Sequence, residues 1–299
     1  LHAIARRQRQ MCIRDRVYGP ARNFATKFLP RYGVSTTFFD PDIGAGISEL
    51  IQDNTKVVYL ESPGSLTFEI QDTPAIAEAA KKRGCTVMTD NTWATGLYYK
   101  PFELGCDVSV HAATKYIVGH SDAMLGAITC TKEAFGPIRE AWDLLGVAAA
   151  PDDVYLGTRG VRTMAVRLAQ HHKNGLEVAE WLESRPEVAR VLHPALPSNP
   201  YHEIWKRDFS GASGLFAFVM QPASEEQLAA YFDGLELFGM GSSWGGYESL
   251  MTPNDPSDYR TATNWQAEGP LIRLHVGLEN PADLIADIEA GFARIKIAA

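Results

Sequence analysis

Apolar positions in this chain fall into short β-branched runs spaced by amphipathic stretches of helical length and by Gly/Pro/Asp turns. VSTTFF, VVYLE, TVMTD and CDVSV have the length and composition of buried strands. A helix is predicted between VVYLE and TVMTD. Asp72-Thr73-Pro74 supplies its start, with proline suited to the first turn, and Gly84 its stop. A turn leading into a short helix is predicted at VYGPARNF, and a helix before VVYLE. Strands alternating with helices at this spacing argue for βαβ units and a mainly parallel sheet. From Pro151 to Arg185 the pattern is one long helical stretch, opened by Asp152-Asp153, closed by Arg185-Pro186, and open to a break at Gly160. Beyond Pro186, VARVLHPAL, GLFAFVM and LIRLHVGL read as strands, and SEEQLAAYFDGL and PADLIADIEAGFARI as amphipathic helices. The fold class is therefore α/β, with a large domain and a second, smaller α/β domain meeting near residue 160.

Two residues carry the candidate chemistry. Asp90 ends the run TVMTD, and Lys115 stands just beyond CDVSV, so both should reach the carboxyl ends of parallel strands, where α/β proteins bind ligands. Asp90 taken alone reads as a turn residue or helix cap. Lys115 is one of four Thr-Lys pairs, with Lys27, Lys56 and Lys132, and any one of them reads as a surface lysine. Its context sets it apart: an apolar run before it and the turn GHSDAMLG after it. A carboxylate and a lysine in one crevice suit pyridoxal 5'-phosphate (PLP), which needs a lysine for its Schiff base and an acid for its pyridinium N–H.

Length and charge narrow the field. A chain of 299 residues suits one large domain plus a smaller one. A formal net charge of -8 opposes a nucleic-acid footprint, and no apolar run approaches the ~18 residues that span a bilayer. Cys12, Cys85, Cys106 and Cys130 lack metal or framework spacing and read as reduced thiols of a cytoplasmic protein. Residues 1–16 stand apart, with five arginines, one acid and no glycine or proline; they read as a foreign leader, leaving residues 17–160 as the remainder of the large domain and 161–299 as the smaller one. His171-His172 point in different directions on a helix, which argues against a metal. Arg159, Arg162 and Arg167 at helical spacing read as a solvated or interface face.

DNTWATG followed by SVHAATKYIVGHSDAMLG, together with YLESPGS, VYLGTRGVRTMAVRLAQHH, SSWGGYESL and LIRLHVGLEN, resembles the Cys/Met-metabolism family of PLP enzymes, and its cystathionine β-lyase branch in particular. The similarity runs from about Val17 to the C-terminus. It implies an aminotransferase-like PLP fold of type I and a role for each candidate. Lys115 would hold PLP, Asp90 would keep its pyridine nitrogen protonated, Thr114 would bind its phosphate, and Tyr18 would stack on its ring. Arg273, a mid-strand arginine whose alternative is an internal salt bridge, would grip the substrate α-carboxylate in a bidentate fork beside Ser243. The implied reaction is β-elimination from L-cystathionine to homocysteine, pyruvate and ammonia, in a homo-oligomer that is tetrameric in the family, with no nucleic-acid or membrane partner. Trp244 before Gly-Gly, where the γ-branch carries an aliphatic residue, and Ser65, where that branch carries asparagine, favour the β-lyases over γ-replacement or γ-elimination as in cystathionine γ-synthase-like enzymes. The family's phosphate-cradling turn and its N-terminal arm find no counterpart ahead of Tyr18, so a truncated chain with weakened PLP binding is expected, or an inactive scaffold.

Overall fold

Strands that are apolar on both faces need cover on both faces, and a parallel sheet with crossover helices provides it. The computed structural model describes residues 8–257 and 260–297. Its first sheet contains β1 (Arg9–Arg14), β2 (Val34–Phe39), β3 (Thr55–Glu61), β4 (Thr86–Asp90), β5 (Val108–Ala112) and β6 (Gly126–Cys130), in the order β2-β1-β3-β4-β5-β6. All neighbours are parallel except β6, which returns antiparallel to β5. The order reverses at β1, so the crevice expected of such a sheet opens beyond the carboxyl ends of β1 and β3. Between strands run α1 (Gly19–Asn23), α2 (Thr73–Lys82) and α3 (Thr95–Tyr98). The start of α2 is as predicted: Asp72 accepts the Ala75 amide and Pro74 sits in the first turn. Its apolar face, Ile76, Ala77 and Ala80, packs on Val58, Leu60 and Val87 of β3 and β4.

One expectation is corrected here. Residues 9–16 are not apart from the large domain, because β1 lies between β2 and β3 with hydrogen-bonded neighbours on both sides. Cys12 and Ile13 are buried, as is Arg14, which gives Nη1 to the Glu61 carbonyl at 2.6 Å and pairs with Glu69 at 3.0 Å. Composition misled because arginines in a strand look foreign until their partners are known. Residues 1–7 of the expected leader lie outside the described residues.

After β6 come three helices, α4 (Lys132–Leu145), α5 (Pro151–Val161) and α6 (Met164–Glu183). The predicted long helix is thus two, broken just past Gly160. The rest is β7 (Val188–Leu192), α7 (His202–Asp208), β8 (Leu215–Met220), α8 (Glu225–Phe232), β9 (Gly239–Met240), β10 (Leu250–Asn254), β11 (Leu271–His275) and α9 (Pro281–Ile297). These strands form a second sheet, β7-β8-β11-β10-β9, antiparallel except for β9 beside β10. Every residue of β8 is buried, and its two faces serve different cores. Phe216, Phe218 and Met220 pack under α6, α8 and α9, while Leu215, Ala217 and Val219 join Phe209 and, from the first unit, Ile70 and Trp93. Trp93 Nε1 also donates to the Leu215 carbonyl at 2.8 Å. The second sheet is thereby fixed against the carboxyl ends of the first. Among the described residues, no helix is long and apolar enough to cross a membrane.

Gly160 sets the closest helix approach to the turn after Lys115. A Cβ there would stand 2.3 Å from the Ile117 carbonyl oxygen and 2.5 Å from that of Val118. Gly160→Ala should therefore lower the unfolding free energy by about 1–3 kcal/mol, read as a lower urea midpoint at unchanged slope.

Candidate active site

The turn after β5 carries Lys115 and is tied down from several directions. Gly119, at φ 74°, lets the turn close with its amide on the Lys115 carbonyl at 2.7 Å. Arg167 Nη1 donates to the Tyr116 carbonyl at 2.8 Å, and Nη2 to those of Gly160 at 2.8 Å and Ile117 at 3.3 Å. Arg167 therefore does not belong with Arg159 and Arg162 on a solvated face, as its spacing had suggested. It is buried, because carbonyls in a non-helical turn need a donor that can reach several of them. The loop 241–246 closes on the turn from the second sheet. Gly245, at φ 87°, is so near that a Cβ would meet the Lys115 backbone at 2.9 Å, and its amide is held by His275 Nε2 at 3.1 Å.

This packing fixes the lysine side chain. Lys115 Nζ donates to Ser243 Oγ at 2.7 Å and lies 5.3 Å from the Trp244 ring centroid. Burial lowers its pKa from 10.5, and the charge of Arg273 lowers it further. Arg273 stands mid-strand in β11, opposite Thr252 and Ala217. Its Nη2 donates to the Ser242 carbonyl at 2.8 Å, but among the described residues no carboxylate pairs with it. An internal salt bridge, the alternative reading of this arginine, is thus not what the structure shows.

On the opposite wall Asp90 ends β4 in register with Glu61 at the end of β3. Asp90 Oδ1 accepts the Thr92 amide at 2.8 Å and hydroxyl at 2.5 Å. Burial nevertheless holds its pKa above 3.8. Glu61 takes the Tyr18 amide at 2.8 Å on one oxygen, and the Ser65 amide at 2.9 Å and hydroxyl at 2.5 Å on the other. Its pKa is pushed up to about 7, first by burial and then by Asp90. Tyr18 caps the start of α1 with its ring exposed. Tyr18, Glu61, Asp90, Lys115, Trp244 and Arg273 line one cavity of about 330 Å³.

Two sequence candidates, Thr114 and Ser243, are not among the residues lining this cavity, though Ser243 is bonded to Lys115 Nζ. The Thr114 hydroxyl accepts the Leu125 amide at 2.9 Å and lies 3.3 Å from the same residue's carbonyl. It braces the return strand β6 and does not line the cavity. The other candidates fit PLP on the side of its reactive half: an amine of lowered pKa, a buried carboxylate with no cation beside it among the described residues, and an exposed aromatic face.

Sequence reasoning missed Glu61, Arg167 and Arg260. Glu61 carried a signal, since VVYLE ends on a carboxylate just as TVMTD does. The arginines carried none, because their partners lie far along the chain. A buried acid whose pKa is raised adds stability that is complete below its unfolded value near 4.5 and is lost as pH rises through about 7. The cofactor-free chain should therefore lose unfolding free energy between those limits, and Glu61→Gln should flatten that part of the profile in chemical denaturation across pH.

The geometry agrees with three comparisons. The profile of the family described as Cys/Met metabolism PLP-dependent enzyme matches residues 1–293. Cystathionine beta-lyase MetC of Escherichia coli is 51% identical over 285 residues, covering 93% of this chain and 72% of that protein. A putative cystathionine beta-lyase of Rhizobium johnstonii is 50% identical over 283 residues, covering 93% and 71%. Among solved structures, cystathionine gamma-lyase from Lactobacillus plantarum, complexed with L-serine, superposes with a TM-score of 0.89 at 31% identity, over 97% of this chain and 77% of that one. The match over nearly the whole chain, with relatives at about half identity, shows that the chain belongs to the Cys/Met metabolism family of PLP-dependent enzymes.

Proposed function

We propose that this chain is a carbon–sulfur β-lyase that cleaves L-cystathionine to homocysteine, pyruvate and ammonia. The observation that carries the reading is Arg273, a half-buried cation with no carboxylate partner among the described residues, facing a lysine of lowered pKa across one cavity. An amino acid supplies what is missing there: its α-carboxylate for the guanidinium and its Cα–H for the amine.

PLP, when bound, supplies the electron sink that makes a Cα proton removable. Lys115 and Asp90 are the residues that would hold it, through its aldehyde carbon and its pyridine nitrogen, with Tyr18 against the ring. Arg273 and Ser243 orient the substrate so that Cα–H points at Lys115 Nζ. That amine is a competent base because burial and Arg273 both favour its neutral form. The Cβ–S bond breaks as Nζ takes the proton, and the departing thiolate is reprotonated by Lys115 or Tyr18. Water then releases pyruvate and ammonia.

Trp244 supports β- over γ-specificity. Its ring lies beside Lys115 Nζ and packs on Tyr116 at 5.5 Å, which narrows the space next to the amine. Phe135, Trp142, Leu144 and Leu145 of α4 are exposed, and such an apolar face supports a homo-oligomer, which we take to be a tetramer. Four free cysteines suit a reducing compartment, in keeping with a cytoplasmic role in methionine biosynthesis.

Incubation of the PLP-loaded chain with L-cystathionine should release pyruvate; 2-oxobutyrate in its place would mean γ-elimination. Arg273→Ala leaves the α-carboxylate unpaired, a loss of about 2–5 kcal/mol, or roughly 30-fold and upward in kcat/KM. Borohydride reduction and peptide mapping should place the PLP label on Lys115. Label on Lys27, Lys56 or Lys132 would refute the assignment.

A further inference from the structure

Arg273 accounts for one carboxylate of a substrate, yet a second arginine lines the same cavity. Arg260 has a side chain only 2% exposed. Its Nη2 donates to Thr67 Oγ1 at 3.0 Å, while Nε and Nη1 are buried with no hydrogen-bond partner among the described residues. Three N–H bonds of a charged group are thus left unsatisfied in a place where each is costly. Among the described residues the carboxylate nearest to it, Glu69, is 3.8 Å away and is already paired with Arg14 at 3.0 Å and with Arg16. Three guanidinium groups therefore crowd around Glu69, and the next attracting charge on Arg260 is the more distant Asp15.

The arginine is also held in place. Its guanidinium carbon lies 4.7 Å from the Trp265 ring centroid. The three residues that follow give their backbone amides to the buried Asp15, Thr261 at 2.8 Å, Ala262 at 2.9 Å and Thr263 at 3.0 Å. Arg22 bridges Asp15 at 3.2 Å and the Thr261 hydroxyl at 2.9 Å. A cation fixed this way before binding loses little freedom when an anion arrives.

We propose that Arg260 receives a second anionic group of the substrate, so that the cavity selects cysteine S-conjugates whose sulfur substituent ends in a carboxylate. The inference rests on the amino-acid lyase reading of the cavity. Two fixed arginines then define a ligand with two carboxylates, one on Cα beside Lys115 and one beyond the sulfur. A neutral substituent would leave Arg260 buried and unpaired, which is the stronger form of discrimination.

The test compares kcat/KM for L-cystathionine and for S-ethyl-L-cysteine, which lacks the second carboxylate, with pyruvate as the readout. The ratio of the two should fall by about 30-fold or more in Arg260→Gln and recover in part in Arg260→Lys, which restores the charge. An unchanged ratio in both variants overturns the proposal. A second measurement needs no turnover: binding of L-2-aminopimelate and of L-2-aminoheptanoate to the PLP-loaded wild type, by calorimetry. The dicarboxylate should bind about 30-fold tighter, and equal affinities overturn the proposal whatever the lyase assay gives. A wild type that prefers the dicarboxylate but releases pyruvate from neither cysteine compound would sink the lyase reading and leave the role of Arg260 standing.

Discussion

Lys115 takes its position from one steric constraint, the contact of three chain segments around the turn 113–119. Gly160 of α5 approaches the carbonyls of that turn from one side. Gly245 approaches the backbone of Lys115 from another, where a Cβ would stand at 2.9 Å. Gly119 gives the turn its closure, with Arg167 filling the space a Cβ would need. Side chains at these positions would move the lysine amine away from Ser243 and Trp244. Close packing transmits such a shift, because an interior this dense has no slack in which to absorb it.

The charges are arranged with equal economy. Two carboxylates, Glu61 and Asp90, lie deep at the ends of adjacent strands, and burial raises both pKa values. The cations Lys115, Arg260 and Arg273 also line the cavity, and burial lowers all three. Anions and cations are held apart by the cavity itself and do not neutralise each other directly. The free energy that folding leaves unused in these desolvated groups is available to a ligand with a cationic ring nitrogen at one end and anionic groups at the other.

Much of this was legible before any coordinates, and the reason is local. TVMTD and CDVSV announce strands whose carboxyl ends had to carry Asp90 and Lys115, and LIRLHVGL placed Arg273 in a strand where a lone charge is conspicuous. The hydroxyl of Thr114 takes the amide of Leu125, a partner that adjacency to Lys115 does not reveal. The strand at Arg9–Arg14 was hidden by its own arginines. Arg167 had the spacing of a solvent face, and only the carbonyls of a turn 50 residues upstream explain its burial. Long-range polar partners of this kind leave no period or composition behind them.

The two halves of the site, Lys115 and Arg273, come from different sheets, and β8 is what relates them. One face of β8 belongs to the small-domain core and the other to the junction with the large one, while Ala217 pairs directly with Arg273. The α-carboxylate pocket is therefore as rigid as the junction. The arginine at the far end is different in kind. Arg260 stands on a loop outside both sheets, fastened by hydrogen bonds to Asp15 and by the Trp265 ring. A scaffold divided this way places Lys115 and Arg273 by the sheets themselves and Arg260 by a loop fastened to Asp15, just past the end of β1.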